Sequence, residues 1–117
     1  MEISSRNNGD VAILEISGRL DQNSAGKLKS ACLEIVAPGN CQLIIGMSRL
    51  EFINSSGLGT LVSILKDVRT NNGHMKLVNL PPFVREIFEI TQLRNIFDIC
   101  NDEACARRSF NTALVSD

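Results

Sequence analysis

A short, wholly apolar run, Leu43-Ile44-Ile45, leads into a segment in which Leu58, Leu61, Val62 and Leu65 recur at helical spacing, and this succession constrains the fold more than any other feature. The run is brief, β-branched and preceded by Pro38-Gly39, which favours a strand over a buried helix segment. A strand apolar on both sides needs cover on both faces, as in a sheet whose parallel strands are joined by helices. The following pattern fits the i, i+3, i+4, i+7 rule, with Thr60, Ser63, Asp67 and Thr70 opposite it and Asn71-Asn72-Gly73 as its stop.

The same alternation recurs along the chain. Val11 to Ser17 reads as a strand ending at Gly18, and Ile3 to Arg6 can pair with it across Asn7-Asn8-Gly9-Asp10 as an opening hairpin. After Asp21 or Asn23 as cap, Ala25, Leu28, Cys32 and Ile35 mark a first helix that Pro38-Gly39 ends. Met75 to Leu80 is a further strand; Pro82 suits a first helical position, and Phe83, Val84, Ile87, Phe88 and Ile90 give that helix an apolar face. Ile96 to Ile99 forms one more short strand. A last helix, capped by Asn101 or Asp102, carries Ala106, Phe110 and Ala113 and frays into Val115-Ser116-Asp117. The expected class is α/β: one domain over residues 1–117, with a central mixed sheet of about five strands, an N-terminal hairpin and about four helices.

Length and composition narrow the function. A chain of 117 residues can bury a core without metal or disulfide staples. The segment 43–45 and its neighbours fall far short of the ~18 apolar residues a membrane span needs, and the amino terminus lacks the pattern of a signal peptide, so a cytoplasmic protein without membrane insertion is expected. Cys32, Cys41, Cys100 and Cys105 show no C-x-x-C spacing and share the chain with a single histidine, His74; buried or half-buried free thiols are expected, with no metal site and no cofactor. A net charge of −1 offers nucleic acid no long-range attraction. His74 and the Phe83/Phe88 stripe read as structural.

The chemistry-bearing segment is Asn54-Ser55-Ser56-Gly57-Leu58-Gly59. Ser55 can serve as a cap and Gly57 can ease the chain into the helix, which is the ordinary reading of such a start. The loop expected over Ser48 to Asn54, with Arg49 and Glu51 exposed, and a second glycine inside the helix add to it. Gly59 costs a helix interior roughly 1 kcal/mol relative to alanine, so close approach of a partner or of neighbouring backbone is expected there and at Gly57. A helix start has N–H groups without helical acceptors and about half a positive charge, so an anion attached to Ser56 would be tolerated by its own fold. A serine hydrolase is disfavoured because no Gly-x-Ser-x-Gly elbow surrounds either serine. No enzymatic activity is expected.

Three motifs, in order, carry a family resemblance: Gly18-Arg19-Leu20-Asp21, then Phe52-Ile53-Asn54-Ser55-Ser56-Gly57-Leu58-Gly59-Thr60-Leu61, then Ile90-Thr91-Gln92-Leu93-Arg94-Asn95-Ile96-Phe97. From about residue 11 to about 106 the chain resembles the STAS-domain anti-sigma factor antagonists. The resemblance implies phosphorylation of Ser56, with Ser55 as the competing acceptor, by an ATP-dependent anti-sigma factor serine kinase of histidine-kinase-like fold that is also the binding partner. It implies that the unphosphorylated protein sequesters that kinase and frees a sigma factor, and that a metal-dependent serine phosphatase restores the unmodified form. Asp21 and Asn23 are carried over as partner contacts beside Asn54, Ser55, Ser56, Gly57, Leu58 and Gly59. Asn54 departs from the family's usual aspartate, replacing a carboxylate able to pair with a cation by an amide that can only hydrogen-bond. The alternative use of the same domain is a scaffold or accessory subunit of a signalling or transport complex, with Ser56 unmodified.

Overall fold

The computed structural model describes residues 1–36 and 42–115, with side chains through residue 110; the Pro38-Gly39 stop, Cys41, the Ala113 side chain and the Ser116-Asp117 end fall outside these. Five strands form one sheet in the order β1-β2-β3-β4-β5, which is also their order along the chain. They are β1 (Glu2–Asn8), β2 (Val11–Leu20), β3 (Gln42–Ile53), β4 (His74–Val78) and β5 (Asp98–Cys100). The helices are α1 (Ala25–Val36), α2 (Ser55–Thr70), α3 (Pro82–Ile90) and α4 (Glu103–Val115), with a 3-10 turn at Leu93–Asn95. Among the described residues no helix is long and apolar enough to cross a membrane.

β1 and β2 pair antiparallel through a tight hairpin, Asn8 opposite Val11, with Gly9 at φ 64° supplying the left-handed turn that an L side chain resists. The remaining pairings are parallel. Each strand sits directly beside its predecessor, so right-handed crossovers place successive helices on one face. There α1, α2 and α3 bury Leu28, Cys32, Leu61, Ile64, Leu65, Val84 and Phe88 against Leu14, Ile16, Leu43, Ile45 and Leu77 of the sheet. The opposite face receives α4, whose Ala106 and Phe110 close over Val11, Ile13, Ile44 and Val78. Ile13, Ile44 and Ile45 are almost wholly buried because the sheet centre is covered from both sides.

The strand-to-helix reading of the central segment stands, but β3 runs through Ile53, and the stretch from Ser48 to Asn54 expected as a loop is mostly strand. Two irregularities conceal it. Between the Glu15–Gly46 and Ser17–Arg49 pairs β3 spends three steps against two on β2, and between Gly18–Leu50 and Arg19–Phe52 it spends two against one. Each insertion is a bulge that shifts which side chains face inward, so Met47, Leu50 and Ile53 are buried at a spacing of three and no alternation is left to read. Arg49 and Glu51 are exposed as expected. β2 likewise continues past Gly18, which holds φ 91° with the Met1 backbone close by, and ends at Leu20.

Smaller corrections follow the same physics. β4 is shorter than Met75 to Leu80, and β5 starts at Asp98 rather than Ile96 because the 3-10 turn at 93–95 uses the preceding residues. Ile90, expected on the apolar face of α3, is 75% exposed; it is the last helical residue, and the buried contacts of α3 are made by Val84 and Phe88. Neither Asp21 nor Asn23 caps α1: the Ser24 carbonyl accepts the Leu28 N–H, while the Ser24 hydroxyl turns back to donate to the Arg19 carbonyl at 2.7 Å and to accept the Asp21 N–H at 3.0 Å. Asp102 does cap α4, its Oδ1 accepting the Cys105 N–H at 2.8 Å.

Candidate functional site

The parallel strands β2 and β3 end together, Leu20 opposite Ile53, and their carboxyl ends feed the β2–α1 turn and the start of α2. Ligands and partners of open α/β sheets are met at such ends, where two loops converge. The register brings the sequence segments around Asp21 and Ser56 side by side, although they are far apart in the chain. The Asn54 N–H donates to the Leu20 carbonyl at 3.3 Å, tying the two ends directly.

Asn54, not Ser55, caps α2. It has extended backbone, φ −118° and ψ −173°, and its Oδ1 accepts the Gly57 N–H at 3.0 Å while its carbonyl accepts the Leu58 N–H at 2.9 Å. Ser55 is thereby the first helical residue and Ser56 the second. Both serines are exposed, and their N–H groups lie in the turn where no helical acceptor exists. The first turn contains no acidic residue, so no side chain of that turn offsets the positive end of the macrodipole. The Ser56 carbonyl accepts the Thr60 hydroxyl at 2.9 Å, a contact that leaves the Ser56 hydroxyl unused.

The two glycines differ. A Cβ on Gly57 would lie 2.4 Å from the Leu20 carbonyl oxygen and 2.9 Å from Leu20 Cγ, so the reason for this glycine is the protein's own backbone, which passes too close for any side chain. Nothing lies within 4 Å of the corresponding position on Gly59, and that residue is exposed. Gly59 thus leaves a bare strip of helix beside Ser56 that internal packing does not require. Leu58 between them is half-buried and packs against the helical layer.

The β2–α1 turn presents its residues unequally. The Asp21 side chain is only 14% exposed; its Oδ1 accepts the Asn23 N–H at 3.0 Å and its Oδ2 stands 3.6 Å from Arg19 Nε. Its carboxylate therefore shapes the turn, whereas Asn23 is exposed. Sequence reasoning did not single out Gln22, which is exposed and whose Oε1 accepts the Asn54 Nδ2 donor at 3.0 Å. Nothing in the local sequence signals this role, because it depends on the β2–β3 register. The amide at position 54 thus acts at both ends, capping α2 with its oxygen and bridging to the neighbouring turn with its nitrogen. Arg19, whose guanidinium lies 3.9 Å above the Phe52 ring, rims the same end of the sheet.

These contacts predict the behaviour of Asn54 variants. Asn54→Ala removes the cap and the bridge and is expected to lower stability by about 1 kcal/mol, read as a lower urea midpoint at unchanged slope. Asn54→Asp keeps an oxygen for Gly57 and adds an anion at the helix start but gives up the Nδ2 donor to Gln22, so its midpoint should lie above that of Asn54→Ala and close to that of the parent.

Among the described residues no group of three or more His, Cys, Asp or Glu side chains is placed to hold a metal ion. The arrangement is a surface: an exposed hydroxyl on a helix start whose first turn holds no acidic residue, flanked by a bare glycine and a hydrogen-bonded neighbouring turn.

The STAS domain family matches residues 2–106. The anti-sigma-B factor antagonist of Bacillus subtilis is 32% identical over 94 residues, covering 80% of this chain and 84% of that one. BtrV of Bordetella bronchiseptica, described as a candidate anti-sigma factor antagonist, is 31% identical over 99 residues, 85% of each chain. A crystal structure from Thermotoga maritima with the same kind of description superimposes with a TM-score of 0.84 at 26% identity, covering 92% of both chains.

Proposed function

The chain belongs to the STAS domain family, and from that membership we propose that it is a cytoplasmic anti-sigma factor antagonist whose binding is switched by phosphorylation of Ser56. Residues 1–117 act as one such domain. In its unmodified form the protein docks on an anti-sigma factor that is also an ATP-dependent serine kinase, and a sigma factor is released. Transfer of the terminal phosphoryl group to the Ser56 hydroxyl ends the complex, and a serine phosphatase resets it. The chain itself catalyses none of these steps.

The observation that carries this reading is the exposure of Ser56 on the second helical position of α2, beside Gly59 and behind a cap supplied by another residue. A kinase can reach the hydroxyl without unfolding anything, because the capping bond belongs to Asn54. The docking surface comprises Ser55, Ser56, Leu58 and Gly59 of α2 together with Asn23 and Gln22 of the adjacent turn. Asp21, Asn54 and Gly57 hold that surface in shape.

Incubating the purified protein with its anti-sigma factor and ATP, then mapping the modified residue by mass spectrometry, tests the assignment. One phosphate on Ser56 is expected, lost in Ser56→Ala and kept in Ser55→Ala. Label on Ser55, or undiminished label in Ser56→Ala, overturns it. A partner that docks but never phosphorylates favours the scaffold use of the domain instead.

A further inference from the structure

Away from the Ser56 surface, β5 and the first turn of α4 bring two thiols together. Cys100 is the last residue of β5, in register with Val78, and packs against the apolar layer under α4. The chain then reverses: the Asn101 carbonyl accepts the Asn79 N–H at 3.3 Å, and Asp102 Oδ1 holds the Cys105 N–H. Cys105 is thereby folded back over the strand just completed, and the two half-buried thiols interact directly. Lys76, whose side chain is 11% exposed and lies 3.5 Å from Asp98, supplies a cation next to them.

We propose that Cys100 and Cys105 form a reversible intramolecular disulfide when the protein meets hydrogen peroxide, making the β5–α4 seam an oxidation site separate from the phosphorylation surface. Burial first, and then the contact with Cys105, push the Cys100 thiol up from its ordinary pKa, with Lys76 opposing. Cys100 packs against the apolar layer under α4, so Cys105 is the thiol that meets peroxide first and Cys100 is the resolving partner. The Cys105 thiolate attacks one peroxide oxygen; the O–O bond breaks, the sulfur gives up two electrons and becomes a sulfenic acid, and the departing hydroxide takes a proton to form water. The Cys100 sulfur then attacks the sulfenic sulfur, an S–S bond forms, and the hydroxide that leaves carries the Cys100 proton away as a second water. A dithiol reductant reverses the sequence by thiol exchange.

The test treats the full, reduced chain with hydrogen peroxide, alkylates remaining thiols and analyses the tryptic peptide 95–107, which holds both cysteines with no cleavage site between them. That peptide is expected unalkylated and lighter by about 2 Da than its reduced form, and restored by dithiothreitol. Cys100→Ser is expected to stop at a Cys105 sulfenic acid that dimedone captures, and Cys105→Ser to leave Cys100 open to alkylation. Sulfinic acids without the cross-link, a disulfide to Cys32 or Cys41, or two thiols that remain alkylatable would each overturn the proposal. The parent chain alone gives this readout, so a variant that folds poorly does not obscure it.

Discussion

Ser56→Asp is expected to bind the anti-sigma factor at least about a hundredfold more weakly than the parent, with Ser56→Ala at parental affinity, by calorimetry on the two variants and the parent. A hundredfold loss corresponds to only about 2.8 kcal/mol. An anion at this exposed position interacts favourably with its own helix, by about 0.3–1 kcal/mol, because the first turn of α2 carries no acidic side chain and the Ser55 and Ser56 N–H groups have no helical acceptor. Thermal stability should therefore be unchanged or slightly higher in Ser56→Asp. Docking reverses the balance. The partner must strip water from the charge, and burying an ion without a matching partner costs several kcal/mol. A phosphoserine, with about −1.5 to −2 charges, should exclude the partner more strongly than aspartate. Equal affinity of all three forms would mean that the helix start lies outside the interface. Loss of the fold in Ser56→Asp would contradict the exposure of that side chain.

The sequence announced most clearly the elements whose patterns are local. α2 shows its apolar stripe and its Asn71-Asn72-Gly73 stop, Pro82 opens α3, and the hairpin turns at Gly9. These depend on helical spacing, a locked φ and a positive φ, all legible without knowing what lies nearby. The far half of β3 was hidden because two bulges rotate its side chains off any regular period. The assignment of the helix cap to Asn54 rather than Ser55 was equally hidden, since both residue types cap well and the choice is made by where β3 stops. Gln22 could not be found in principle from its neighbours, because the contact that distinguishes it crosses from one loop to another through the β2–β3 register. At the candidate site, then, the hydroxyl and its helix were visible in the sequence. The scaffold that holds them in place was not.

Gly57→Ala should be the most damaging small substitution at the site, and Gly59→Ala, two residues on, should be stabilising. At Gly57 the added methyl would sit 2.4 Å from a backbone oxygen, and that oxygen cannot move freely: it belongs to Leu20, which is paired with Ile53 and accepts the Asn54 N–H. Relief requires α2 to shift away from the end of the sheet, with overpacking costs at the upper end of roughly 1–3 kcal/mol, against which alanine's helix propensity returns about 1 kcal/mol. A net loss of about 2 kcal/mol lowers the Tm of a chain this size by about 8 °C. At Gly59 the methyl meets nothing within 4 Å, so only the propensity gain remains, and the Tm should rise by about 4 °C. The partner assay separates the two roles further. Gly59→Ala, more stable yet carrying a methyl on the strip beside Ser56, is expected to bind the anti-sigma factor less tightly than the parent. Parental affinity in that variant would place the docking surface elsewhere, and a stability gain at Gly57 would show that the approach of Leu20 to α2 is not what excludes a side chain there.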